Sequence, residues 1–187
     1  QWGLLCPIHS PDGGNVGLHN HLSTSTLITK GVSAIPYINL VRKLGVKLLE
    51  ECSLKYLSKT SKVFINGGWI GSTSNPIELR DTLKLYKRNH IINSFISISF
   101  NIKRNEIIIC TDGGRPMRPL YYMNGNAMSY ERPEIVEKLM KGKYKFKDLI
   151  RGFGNNDDKD LRLSNKNLDI LTRDAGVIEY VDTLECE

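Results

Sequence analysis

No methionine precedes Met117 in these 187 residues, and apolar runs stop at four or five residues, as at Ile107–Cys110. The short runs exclude a membrane-spanning helix, which needs about 20 consecutive apolar residues. The start at Gln1 has no basic-then-apolar leader of secretory type. Together with the missing methionine, it reads as an internal segment of a longer chain. Cysteine is sparse and scattered, at Cys6, Cys52, Cys110 and Cys186, with no C-x-x-C. A chain of this length builds a core without cross-links, so the expectation is four reduced thiols in an intracellular compartment. G-x-S-x-G, H-E-x-x-H and G-x-x-x-x-G-K are all missing. That removes the usual signatures of serine hydrolases, zinc peptidases and P-loop nucleotide binders.

What is present is ordinary globular composition, 40% apolar and 25% charged, unevenly spread. Gln1–Thr29 carries Asp12 as its one charge, whereas Lys30–Arg151 is basic and Gly152–Glu187 holds nine acids against four bases. A basic middle can face phosphates. The blander reading, lysines that solvate helix faces, is preferred on charge alone.

Turn chemistry dominates the first 22 residues. In Ser10-Pro11-Asp12-Gly13-Gly14, Pro fixes φ, Asp accepts local N–H groups and the glycines admit positive φ. This predicts a shaped loop held between Trp2–Ile8 and Leu18–Ile28. Apolar spacing predicts a helix over Ile35–Leu44, with Pro36 in its first turn and Gly45 at its stop. Val46–Leu57 is ambiguous, a short strand or irregular. Val63–Ile70 reads as a hairpin turning at Asn66-Gly67-Gly68. Asn75-Pro76-Ile77-Glu78 opens a helix with Asn75 as N-cap and Glu78 completing a capping box. That helix buries Leu79, Leu83 and Tyr86 and keeps Arg80, Lys84, Lys87 and Arg88 mostly elsewhere. Ile96, Ile98, Phe100 and Ile102 alternate with Ser97, Ser99 and Asn101 as a strand. Arg104-Asn105 turns into a second strand at Glu106–Thr111. A third strand is expected at Leu120–Met123, after a turn at Asp112–Arg115. Helices follow at Glu131–Lys141, burying Ile135, Leu139 and Val136 or Met140, and at Asn165–Asp174, stopped by Gly176. Phe153–Lys159 is a loop and Val177–Val181 a strand. The fold class is α+β, in several small mixed modules with antiparallel hairpins and short helices.

Local chemistry offers three candidates. Cys6, His9, Asp12, His19 and His21 include good zinc-ligand types, but their spacing matches no tetrahedral site, and loop histidines with ordinary hydrogen bonds are preferred. His9, Ser10 and Asp12 are adjacent, which rarely lets a hydrolytic triad converge. The Gly13, Gly14 and Gly17 backbone leaves N–H groups approachable, as in anion-binding nests, though a turn-rich connector explains the same residues.

Longer motifs are more specific. Trp2-Gly3-Leu4-Leu5-Cys6-Pro7-Ile8-His9-Ser10-Pro11-Asp12-Gly13 fits W-G-x-x-C-P-x-x-S/T-P-E/D-G, and Gly17-Leu18-His19-Asn20-His21-Leu22 follows it. Downstream come Val63-Phe64-Ile65-Asn66-Gly67-Gly68-Trp69-Ile70-Gly71, Asn75-Pro76, Lys87-Arg88, Thr111-Asp112-Gly113-Gly114-Arg115, Arg118-Pro119-Leu120 and Val177-Ile178-Glu179-Tyr180-Val181-Asp182. In this order the set closely resembles the second-largest subunit of multi-subunit DNA-directed RNA polymerases of the eukaryotic, archaeal or large-DNA-virus type. Two departures stand out. The family commonly has Glu-Thr-Pro-Glu-Gly where His9-Ser10-Pro11-Asp12-Gly13 stands, and a Lys where Asn20 stands.

The resemblance implies a part of DNA-templated RNA synthesis: the end of a fork domain over residues 1–29, an external 1 module over 30–123 and an external 2 module over 124–187. It places Ser10, Asp12, Gly13, Gly14, Asn15 and Asn20 near nucleic acid or the active centre. Asn20 suits a phosphate or sugar without charge, and Asp12 orients a base or a neighbouring loop. No catalytic residue and no metal ligand falls in the chain; Mg²⁺ belongs to the parent enzyme, and no cofactor is expected on this segment. Implied partners are the largest subunit, other polymerase subunits, template DNA and the RNA–DNA hybrid, with no membrane. The implied compartment is the nucleus, or the virion and host cytoplasm for a virus. The isolated chain is expected to be inactive. Rival readings are a stand-alone basic nucleic-acid-binding module and a structural scaffold module. Arg115 and Arg118 are expected in ion pairs between modules rather than on nucleic acid.

Overall fold

Asn66 and Gly67 both take positive φ, 49° and 79°, the backbone of a two-residue hairpin turn. They join β3 (Ser61–Ile65) to β4 (Gly68–Thr73) in antiparallel register, Ile65 against Gly68. This hairpin is the middle of a computed structural model whose described residues are 2–153 and 168–186. β2 (Lys47–Leu48) flanks β4. On the other side β3 runs parallel to β6 (Glu106–Cys110), and β6 pairs antiparallel with the edge strand β5 (Ser97–Asn101). The five-stranded order is β2-β4-β3-β6-β5.

Two helices cover one face of that sheet. α1 (Ile35–Lys43) carries Pro36 in its first turn, as expected, and sends in Tyr37 and Val41; Gly45 follows it at φ 92°. α3 (Pro76–Arg88) sends in Leu79, Leu83 and Tyr86 against Val63, Ile98 and Ile107. The ambiguous stretch resolves as β2, a 3₁₀ turn at Leu49–Glu51 and a one-turn helix, α2 (Leu54–Leu57), whose Ser53 hydroxyl accepts the Tyr56 N–H. At α3 the expected capping box is absent. The Asn75 amide donates to the Glu78 carboxylate at 3.2 Å, and no side-chain cap reaches the backbone.

A second, three-stranded sheet joins distant parts of the chain. β1 (Leu27–Ile28), β7 (Pro116–Tyr121) and β10 (Ile178–Val181) lie in the order β1-β7-β10, all antiparallel. Each of the stretches 1–29, 30–123 and 124–187 gives one strand. β7 begins four residues before the expected Leu120. The reason is its partner: Met117 pairs with Leu27 and is fully buried, which local spacing does not reveal. Pro119 lies beyond the end of the β1 pairing and stands opposite Tyr180 of β10.

Other expectations shift in the same way. Ile102 is 77% exposed because β5 ends at Asn101. Ser97, on the supposed polar face, is buried. α4 (Pro133–Met140) buries Ile135 but exposes Val136 and Met140. A short β8–β9 hairpin (Met123–Asn124, Ala127–Met128) precedes α4, and α5 (Phe146–Arg151) follows it. α6 is described as Leu168–Asp174, so residues 165–167 of the expected helix, and nearly all of the Phe153–Lys159 loop, lie outside the described residues. Gly176 is no helix stop: its φ is not positive, and a Cβ there would lie 2.8 Å from the carbonyl oxygens of Leu149 and Ile150. It is glycine because α5 passes against it.

Candidate functional site

The N-terminal loop is built on two arms that clasp each other. Cys6 N–H donates to His21 O at 2.8 Å and Ser23 N–H to Leu4 O at 2.9 Å. Thr26 Oγ1 lies within reach of the carbonyls of Gly3 and Leu4, and Leu4 is the buried residue of the root. The second arm runs into β1 and so onto β7. Beyond the clasp, His9 and His21 stack ring on ring, centroids 3.5 Å apart and planes within 4°. The loop crest is a 3₁₀ turn at Gly13–Asn15 between residues of positive φ, Gly13 at 77° and Gly17 at 83°. The Gly17 N–H donates to Ser10 Oγ at 2.8 Å, closing the crest on itself.

The expected site residues divide into two groups. Ser10 and Asn20 line one cleft of about 320 Å³, together with Trp2, Cys6, His9 and Val16. Asp12, Gly13, Gly14 and Asn15 sit outside that wall on the exposed crest. Asp12 caps the 3₁₀ turn by position only, its carboxylate making no cap bond. Around the crest five large apolar side chains are exposed: Trp2, Ile8, Val16, Leu18 and Leu22. The loop therefore offers shape, apolar surface, amide and hydroxyl groups and backbone N–H, with one negative charge and no Lys or Arg.

As to the rival chemistries, the Ser10 hydroxyl is engaged by Gly17 rather than by a base. Among the described residues no group of three or more His, Cys, Asp or Glu is placed to hold a metal ion. The stacked imidazoles lie parallel, not converging on a point. All four cysteines are free.

Sequence reasoning missed a second polar centre. Lys87, expected off the apolar face, is 1% exposed, and its ammonium meets the fully buried Glu185 carboxylate at 2.9 Å. Glu179 on β10, also buried, takes Arg88 at 2.7 Å and lies 3.7 Å from Lys87 and 3.8 Å from Lys84. Arg88 also covers the Tyr122 ring at 3.6 Å, and the Tyr122 hydroxyl donates to Gly176 O at 2.6 Å. Burial pushes the Tyr122 hydroxyl up against the opposing pull of Arg88 and Arg132. Burial is also the largest influence on both carboxyls of the cluster, pushing each up. Three cations around Glu179 overcome it and hold that carboxyl below the usual range. Glu185 has Lys87 as its nearest cation and the Glu179 charge nearby, so burial wins and its carboxyl is raised. The charge asymmetry of the sequence carries part of the signal: Lys84, Lys87, Arg88 and Arg115 of the basic middle pair with Glu179, Asp182 and Glu185 of the acidic end. This corrects the reading of a solvated face for Lys87, whereas Lys43, Lys55, Lys59 and Lys103 are exposed as that reading expects. It also removes Lys87 and Arg88 from any basic surface that a stand-alone nucleic-acid-binding module would need.

Arg115 bears out its expectation. Its guanidinium pairs with Asp182 at 2.9 Å across the chain and with Asp112 at 2.9 Å locally, and donates to Phe95 O at 3.1 Å. Arg118 does not: among the described residues it has no carboxylate partner, and its guanidinium donates instead to Trp2 O and, at 3.6 Å, to Cys186 Sγ.

Comparison with known proteins adds family information. Residues 1–28 match the family model described as RNA polymerase Rpb2, domain 3, and residues 63–127 the one described as RNA polymerase Rpb2, domain 4. The chain is 35% identical over 80% of its length to DNA-directed RNA polymerase II subunit RPB2 of Encephalitozoon cuniculi. It is 33% identical over 100% of its length to the subunit of that name from Eremothecium gossypii. Against DNA-directed RNA polymerase subunit 2 of Acanthamoeba polyphaga mimivirus it is 28% identical over 88%. The chain spans 13–15% of the length of these relatives.

Proposed function

Because the chain belongs to the family of the second-largest subunit of multi-subunit DNA-directed RNA polymerases, we propose that it works in DNA-templated RNA synthesis as one part of such a complex, with its N-terminal loop facing the active centre. The observation that carries this is identity of 33% maintained across 100% of the chain with a subunit of that name. The residues given the active-centre role are Ser10, Asp12, Gly13, Gly14, Asn15 and Asn20. A loop without Lys or Arg does not bind by neutralising phosphates, the term that dominates nonspecific affinity. It suits close approach: open N–H groups at the crest, an amide at Asn20 for a sugar or phosphate oxygen, and apolar side chains for bases or neighbouring protein.

In this reading residues 1–29 close a fork domain, and 30–123 and 124–187 form two external modules. The family-model matches at residues 1–28 and 63–127 fall on either side of the first of these boundaries, and the second match runs past residue 123. Partners are the largest subunit, other polymerase subunits, template DNA and the RNA–DNA hybrid. Mg²⁺ in the parent enzyme supplies metal-assisted nucleotidyl transfer, and this chain's own residues shape the approach to that centre. The compartment is the nucleus, or the virion and host cytoplasm for a viral enzyme. No helix among the described residues is long and apolar enough to cross a membrane.

The test is a photoreactive residue at position 20 in the assembled, transcribing complex. Cross-linking to template or nascent RNA is the expected result, and capture of neither overturns the placement. Templated incorporation by the 187-residue chain alone would overturn its reading as one part of the enzyme.

A further inference from the structure

The clasp between the loop arms fixes them to each other but leaves open what fixes the pair to the body. The second arm is attached through β1, a strand of only two residues. Thr29, the next residue, is buried and firms that joint: its N–H donates to Arg115 O at 3.0 Å, its carbonyl accepts the Gly114 N–H at 2.9 Å and its hydroxyl accepts the Arg115 N–H at 3.0 Å. The first arm meets β7 at Arg118.

Three observations meet at this side chain. Its Nη1 donates to Trp2 O, the carbonyl at the root of the first arm. Its Nη2 reaches Cys186 Sγ at 3.6 Å, in the 3₁₀ turn Leu184–Cys186 that Glu185 pins to Lys87. Its stem fills the space over Gly3, where a Cβ would stand 3.0 Å from Arg118 Cδ, and Gly3 itself takes φ 80°. The guanidinium is thus spread between two segments 184 positions apart, resting on a residue that has no side chain. Charge pairing does not explain it: among the described residues its partners are a carbonyl and a thiol rather than a carboxylate, and its Nε is buried without a partner. A planar fork with several fixed donors is what such a two-sided contact needs, and an ammonium supplies only part of it.

We infer that Arg118 is the positioning residue of the N-terminal loop, fixing the angle at which its root leaves the three-stranded sheet by bridging Trp2 to the C-terminal turn. The inference deepens the reading of that loop as the part facing the active centre. Its chain of action is mechanical: buried Lys87–Glu185 pair, turn at residues 184–186, Arg118, then the Trp2–Gly3 root.

The test compares Arg118→Met with Arg118→Lys in the full polypeptide that contains these residues, assembled in its complex. Met keeps the length of the stem over Gly3 and removes every donor; Lys keeps one donor for Trp2 O. Amide hydrogen exchange is read in peptides covering residues 2–8 and, as reference, residues 105–111 of β6. With Arg118→Met, exchange over residues 2–8 should rise about ten- to a hundredfold, the range for losing a hydrogen bond from a charged donor, with β6 unchanged. Arg118→Lys should recover most of that protection. Unchanged exchange over residues 2–8 in Arg118→Met overturns the inference, as does an equal rise in β6, which would make Arg118 a general stability residue. Failure of position 20 to cross-link in the complex with Arg118 intact would remove the functional reading and leave this exchange result standing.

Discussion

The N-terminal loop and the junction of α3 with the last strand are opposites in chemistry and in legibility. The loop is one of the most conspicuous stretches of sequence, dense in Gly, Pro, His and Asn, and nearly all of its crest is exposed and uncharged. The junction looks like scattered surface charge, yet it places one lysine and two glutamates in the interior. Turn chemistry is local and leaves a local signature. A buried ion cluster is assembled from residues about 90 positions apart and leaves none beyond a surplus of bases in one stretch and acids in another. Conspicuous motif and structural dependence are therefore separate properties in this molecule, and substitutions should separate them.

The strongest test of that separation is Lys87→Met. It leaves Glu185 fully buried without its nearest cation and takes one of three from Glu179. Removing one partner of a buried pair costs about 3–5 kcal/mol, more than the pair itself contributes. Urea unfolding should show that loss. The double variant Lys87→Met, Glu185→Leu should recover much of it, because no unpaired carboxylate then remains at position 185. A loss below about 1 kcal/mol, the usual ceiling for an exposed pair, would show that the cluster is no more structural than a surface pair.

Next in size is Gly176→Ala. The added methyl meets the Leu149 and Ile150 carbonyl oxygens at 2.8 Å, and backbone cannot swing aside as a side chain can. The expected loss is about 1–3 kcal/mol, the cost of overpacking, with the Tyr122 hydroxyl contact to Gly176 O disturbed as well. Thermal unfolding and near-UV circular dichroism of the tyrosines read both effects.

How much of this was readable beforehand follows the same division. The Asn66-Gly67 hairpin, the Pro36 and Pro76 helix starts and the apolar trio Leu79, Leu83 and Tyr86 were legible, because each is dictated within a few residues. The start of β7 at Pro116, the burial of Ser97 and the role of Gly176 were not, because each depends on a partner strand, turn or helix elsewhere in the chain. In the site, the crest and its positive-φ glycines could be read directly. That Ser10 and Asn20 share one cleft while Asp12 and Asn15 do not required the clasp at Cys6 and His21. In the sequence Arg118 follows a strand and is expected in an ion pair between modules, yet it meets a backbone carbonyl at the other end of the chain, to which nothing local points.

Acid provides a graded version of the first test. The Glu179 carboxyl is held below its ordinary value, so the folded state binds its proton less readily than the unfolded state. That stabilisation is present above the ordinary glutamate value of about 4.3 and is lost as the pH falls through the lower folded value. Glu185 is shifted the other way, so its contribution is full below that ordinary value and lost as the pH rises through the raised one. The two slopes oppose each other, which makes the acid effect smaller than that of removing Lys87. Glu179→Gln should flatten the acid limb of unfolding free energy against pH, and Glu185→Gln should steepen it. Identical acid limbs in both variants would mean that the cluster does not govern the titration.

The smallest stability effect is expected where the motif is most conspicuous, and for that reason it is the most informative about function. Gly14 has neither positive φ nor any heavy atom within 4 Å of an added Cβ, so Gly14→Ala meets no steric or conformational penalty in the fold. Its stability should stay within about 0.5 kcal/mol of the parent, as for ordinary surface substitutions. Gly13→Ala, at φ 77°, carries backbone strain and is the poorer probe. If the crest is approached closely by nucleic acid or by a neighbouring part of the polymerase, the Gly14 methyl group obstructs that approach and templated RNA synthesis by the assembled complex falls while unfolding is unchanged. If synthesis is also unchanged, the space over Gly14 is empty in the working enzyme. The glycine pair would then be turn chemistry alone, and the contrast between a functional loop and a structural junction would narrow to the cleft that Ser10 and Asn20 share.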